Sequence, residues 1–202
     1  FSTIGDGSAV ECNVFVGKPT AITGGVFDGT VFNNSGILGG TFNGEVENMG
    51  PGTINDGTFK NSVKNNGTIE KGTFNGAVEN NGTINDGTFH DEVENNSVIN
   101  SGTFHGEVKN NGIIEKGTFE GTVENNTNGT ISGGTFAGSV SNNGGTVNGG
   151  IFNGNTGLDE VTGLHSITWD AASSNAKIEK VNGVSADWAP YVVTSNATTK
   201  EV

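Results

Sequence analysis

Cys12 is the only cysteine among the 202 residues. The chain therefore has no intrachain disulfide and no cysteine-based metal site. A lone thiol neither requires secretion nor excludes it. Long apolar runs are missing too. Nothing approaches the roughly 18 consecutive apolar residues of a membrane span, and no secretory leader is visible. The chain starts at Phe1 rather than Met, which reads as an excised fragment or a mature form with targeting and anchoring segments outside it. Positive charge is scarce: 9 basic residues face 22 acidic ones, for a net charge of −13. Nucleic acid and anionic membranes both demand clustered Lys and Arg, so neither is an expected partner. A solvated acidic surface instead favours divalent cations. Apolar residues make up only 31% of the chain, and 35 positions are Gly, which is too little apolar material for a thick globular core.

A polar, Gly-rich composition alone reads as disorder. The order of the residues argues against that. Residues 72–86 read GTFNGAVENNGTIND, and close copies stand at 57–71, 87–101 and 102–116. From residue 25 the pattern is G-T-F-x-G-x-V-x-N-N-G-T-I-x-x. A Phe column runs Phe27, Phe42, Phe59, Phe74, Phe89, Phe104, Phe119, Phe136, Phe152. A Val column runs from Val31 to Val140, and an Ile column runs from Ile37 to Ile131 and ends on Val147. Where the period stretches, the extra residues are Gly50-Pro51, Thr127-Asn128 and Gly144. All three fall just before the Gly-Thr-Ile segment, and a coiled backbone tolerates insertions at one corner where a continuous helix does not.

The short segments alternate with period two, and Phe, Val, Ile and Thr favour strands, whereas Gly and Asn are poor helix formers. Identical fifteen-residue units fit one coil each of an all-β, single-stranded parallel β-solenoid. About ten coils, at the roughly 4.8 Å spacing of paired strands, make a rod of roughly 45 Å. Asn65-Asn66-Gly67 and its copies read as one corner, since Asn and Gly tolerate left-handed backbone, and stacked Asn amides can bond up and down a column. A second Gly two residues after most Phe marks either another bend or a small inward position. Three-sided and flattened cross-sections both stay open.

Residues 1–24 read as an N-terminal capping coil, irregular over residues 1–9. Counting back fifteen from Phe27, Val31 and Ile37 places Cys12, Val16 and Ile22 in the three inward columns, so Cys12 is expected to be buried. Residues 25–157 form the solenoid proper. Residues 158–202 hold Trp169, Trp188 and Tyr191 and no Gly-Thr-Phe; strands are expected over Leu164 to Trp169 and Ala189 to Thr194. This segment reads as a β-rich cap over the last coil's apolar end, or as the start of a further module.

Function has to lie in the outward columns. The Thr rank before Phe is unbroken from Thr41 to Thr135. It resembles the Thr arrays of antifreeze solenoids, which implies ice binding through paired ranks on a flat face. The matching rank here reads Asn43, Lys60, Asn75, His90, His105, Glu120, charged and uneven in size, so a plain strand-forming role is the better reading. The column after Val alternates Glu47, Lys64, Glu79, Glu94, Lys109, Glu124, which suits stacking in register. One cluster is sharper: His90 and His105 are vertical neighbours with Glu120 in the next coil, a candidate transition-metal site. The Gly-Gly-x-Gly-x-Asp calcium repeat is absent, no motif calls for a cofactor, and the short uniform loops offer no cleft for catalysis.

The run NNGTINDGTFHDEVENN resembles the low-complexity repeats of bacterial cell-surface, adhesin-like proteins, across residues 25–157. The resemblance implies a secreted, surface-attached rod that serves as a structural spacer or in cell adhesion. Its expected partner is a host or surface glycan or protein, and it implies no enzyme. A face-specific binder of glycan or divalent metal, or a polysaccharide-active β-helix, is the alternative.

Overall fold

The computed structural model describes residues 3–153, 166–170 and 175–180. Each fifteen-residue unit makes one coil with three short strands. In the coil 57–71 these are Thr58–Phe59, Val63–Asn65 and Thr68–Ile69. Like stacks on like in parallel: Phe59 pairs with Phe74, Val63 with Val78 and Ile69 with Ile84. Three sheets result, of ten strands (the Ile sheet), nine (the Val–Asn sheet) and twelve (the Phe sheet). The cross-section is therefore three-sided. The Gly after Phe stands at the corner between the Phe and Val–Asn sheets, where a Cβ on Gly76 would lie 2.5 Å from the carbonyl carbon of Asn61 in the coil below.

Alternation decides what is inside. Each two-residue strand points one side chain in, and the inward columns are buried from Phe27 to Phe136, from Val31 to Val140 and from Ile22 to Val147. Coil spacing sets the Phe rings face to face, 4.7 Å apart and 6° from parallel for Phe74 and Phe89. Burying each such side chain contributes roughly 1.5–3 kcal/mol. The three-residue strands of the Val–Asn sheet point two side chains in, which creates a fourth buried column. Asn33, Asn48, Asn65, Asn80, Asn95, Asn110 and Asn125 are wholly buried. Each donates its amide to the next: Asn65 Nδ2 to Asn80 Oδ1 at 2.7 Å, Asn80 Nδ2 to Asn95 Oδ1 at 2.8 Å. The outer Asn of each pair forms a second ladder running the other way, with Asn96 Nδ2 donating to Asn81 Oδ1 at 3.2 Å and Asn111 to Asn96 at 2.9 Å.

Apart from Gly7 and Gly144, the latter following Asn142-Asn143 at φ 90°, the left-handed glycines are not those of the Asn-Asn-Gly corner but the first residues of the coils, such as Gly87 at φ 144°, between the Ile and Phe sheets. There a Cβ would also lie 3.1 Å from the Phe89 ring.

The first coil departs from the fifteen-residue count. Its strands are β1 (Thr3–Ile4), β2 (Ala9–Val10) and β3 (Val14–Val16), so residues 1–9 are not irregular throughout. Val10, not Cys12, pairs with Phe27, and Val14, not Val16, pairs with Val31. Val16 instead stands below Asn33, at the foot of the amide ladder. Ile22 pairs with Ile37 as expected. Cys12 is exposed. The reason is an extended corner over residues 17–20, the same corner that takes the later insertions.

At the other end, the strand Gly150–Asn153 continues the Phe sheet and pairs antiparallel with Asn175–Lys180, which pairs in turn with Ser166–Asp170. The latter lies where a strand was expected from Leu164 to Trp169. The expected strand at Ala189 to Thr194 lies outside the described residues.

Candidate functional site

Outward positions on three sheets carry the rod's chemistry. The Phe sheet presents the Thr rank, half-buried between coils except at the exposed Thr118. The Ile sheet presents a second rank that the repeat had hidden. Thr53, Thr68 and Thr83 pair in order, and the series is then broken by Val98 and Ile113 before Thr130.

The Val–Asn sheet is the charged face. Lys64 Nζ lies 3.4 Å from Glu79 Oε1, across one coil boundary. Asn81 Nδ2 donates to the same Glu79 oxygen at 2.7 Å. Asn81 first, and Lys64 after it, hold the Glu79 carboxyl below its ordinary pKa. Lys109 reaches Glu92 at 3.0 Å and Glu107 at 3.6 Å, and these partners, Glu92 foremost, push its ammonium pKa up. Glu92 and Glu107, conspicuous in the sequence as neighbours of the histidines, also belong to a column just before Val, and it is this column that sequence reasoning did not single out. That column thins to Ser62 and Ala77, and an open groove of about 450 Å³ runs there, lined also by Phe32, Glu45, Glu47, Glu79 and Glu94.

The histidine cluster occupies the corner between the Phe and Val–Asn sheets. Its parent strands pair Phe89 with Phe104, and the His105 N–H donates to the Phe89 carbonyl at 2.8 Å. The two exposed imidazoles are thereby stacked, with centroids 4.8 Å apart and planes 6° from parallel. Glu120, one coil further, places Oε2 2.7 Å from His105 Nδ1. So the structure brings His90, His105 and Glu120 into one column, as their spacing predicts. It adds a contact that spacing cannot specify, namely which ring nitrogen the carboxylate meets. Among the described residues, no three His, Cys, Asp or Glu side chains are gathered so as to hold a metal ion.

No protein family, curated protein or solved structure matches the chain. No helix among the described residues is long and apolar enough to cross a membrane.

Proposed function

We propose that this chain is the stiff, non-catalytic rod of an extracellular surface protein, spacing an adhesive or binding segment from the surface that bears it. The observation that carries this reading is the unbroken stack. Phe rings follow one another from Phe27 to Phe136 without a missed coil, and the Asn ladder runs beside them. A core of stacked rings and amides resists bending, which suits reach rather than closure around a substrate. The likeness to adhesin-type repeats supplies the location, and the net charge of −13 suits a rod that stays solvated among its neighbours. The expected partner is a glycan or protein on an opposing surface. Antibody raised against the folded solenoid tests the location. Labelling of intact source cells is the expected result; labelling only after permeabilisation overturns it.

A further inference from the structure

We propose that His90 and His105 form a two-imidazole binding site for a borderline divalent metal ion such as Zn²⁺, with Glu120 orienting His105 instead of ligating the metal. The site is independent of the spacer role, and the Glu120 contact is what points to it. A carboxylate only accepts, so the proton between Glu120 Oε2 and His105 Nδ1, 2.7 Å apart, rides on the imidazole nitrogen. With Nδ1 as the N–H donor in the neutral ring, Nε2 is left with a free lone pair. This is the carboxylate–histidine arrangement that fixes tautomer and ring direction at metal sites.

His90 supplies the second ligand. Its ring lies parallel to that of His105 with centroids 4.8 Å apart, so the two imidazoles are held side by side before any metal arrives. Zn–N bonds are roughly 2.0–2.1 Å long, so the rings must tilt toward each other to share one ion. Both side chains are exposed, and both follow the inward Phe at the end of a strand, so the tilt disturbs neither sheet. Imidazole nitrogen suits Zn, Cu and Ni, whereas carboxylate oxygen suits Ca and Mg. Asp91, Glu92 and Glu107 follow the histidines around the same corner, and Lys109 is already engaged by the two glutamates. The local charge thus favours a cation. Two protein ligands leave coordination positions for water or for a donor from another surface, so the site binds exchangeably. It does not form a closed structural centre.

The test is calorimetric titration of ZnCl₂ into the full chain, with imidazole NMR and a thermal melt of every variant. One saturable site per chain is expected. His90→Asn and His105→Asn should each weaken binding at least about tenfold, and Glu120→Gln by about 10–100-fold, the range for an orienting carboxylate. His165→Asn and Glu124→Gln should leave it unchanged. The NMR should show metal on Nε2 of both rings while His105 keeps its Nδ1 proton. Absence of saturable binding overturns the proposal. So does binding that survives the double His90→Asn/His105→Asn change in a folded chain, which would assign the metal to surface carboxylates. Direct coordination by Glu120 overturns its orienting role.

Discussion

Asn80 sits at 0% exposure inside an otherwise apolar column structure, where an unpaired amide would cost about 1–3 kcal/mol. It is not unpaired. Its carbonyl accepts from Asn65, and its NH₂ donates to Asn95 and toward the carbonyls of Gly82 and Val98. No buried side-chain nitrogen or oxygen among the described residues lacks a partner. The ladder is thus a polar core element whose every member depends on the coils above and below. Asn80→Leu removes one rung and leaves the Asn65 NH₂ and the Asn95 carbonyl short of a partner. A loss of roughly 1–3 kcal/mol per orphaned group is expected, read from urea unfolding. An unfolding free energy equal to that of the unaltered chain would show that the ladder contributes nothing. The inward Phe, Val and Ile were legible in the sequence because apolar residues recur against a polar background. The inward Asn was not, because it carries the same letter as its outward neighbour and a corner residue; only the three-residue strand Val78–Asn80 separates their roles.

At the scale of the coil, the corners differ in what they forgive. The corner between the Val–Asn and Ile sheets takes Gly50-Pro51, Thr127-Asn128 and Gly144, and the first coil lengthens there too. The strands on either side keep their register. Because of that first lengthening, a count of fifteen back from Phe27 and Val31 lands on Cys12 and Val16, two residues past the true partners Val10 and Val14, whereas the count from Ile37, beyond the corner, lands on Ile22. Deleting Gly50 and Pro51 restores the common period, and stability is expected to change by no more than about 0.5 kcal/mol, as for surface changes away from packed features. Two residues added after Gly76, where even a Cβ would meet backbone of the coil below at 2.5 Å, should instead abolish cooperative unfolding. Equal melting curves for the two variants would refute the distinction. Charged rungs tie coils together more weakly. The Glu79 pKa is lowered in the folded chain. Its contribution is therefore present above the carboxylate's unfolded pKa and lost as pH falls through the folded one. It is small, because pairs this exposed contribute little. Glu79→Gln should lower the neutral-to-alkaline plateau of the stability–pH curve slightly, leave stability at the acid end unchanged and so flatten the acid limb between them; a change confined to the acid end would contradict the assignment.

For the whole molecule, each coil touches only the coils next to it, so stability should build as a sum of coil and interface contributions. This is also why the architecture was readable in advance while its cross-section was not. Repetition announces stacking, but whether Gly76 marks a bend or an inward position depends on backbone contact with a neighbouring coil, which no single repeat contains. The histidine column was legible for the same reason as the Phe column, since both follow from the fifteen-residue spacing; the Glu120 contact was not, because it depends on ring orientation. Removing residues 72–86 as a unit tests the additive picture. The deletion joins Lys71 to Gly87, lays Phe89 on Phe59, and continues the amide ladder from Asn65 directly to Asn95. It even sets Glu94 over Lys64 in place of Glu79. The shortened chain should fold, lose only the share of one coil in stability, and be shorter by about 4.8 Å in small-angle scattering. Removing seven residues, 72–78, takes out the inward Phe74 and Val78 but keeps Ile84, so no register restores the stack. That variant should not unfold cooperatively. If the fifteen-residue deletion were instead the more damaging of the two, the rod would not be a sum of interchangeable coils, and the spacer reading would lose its physical basis.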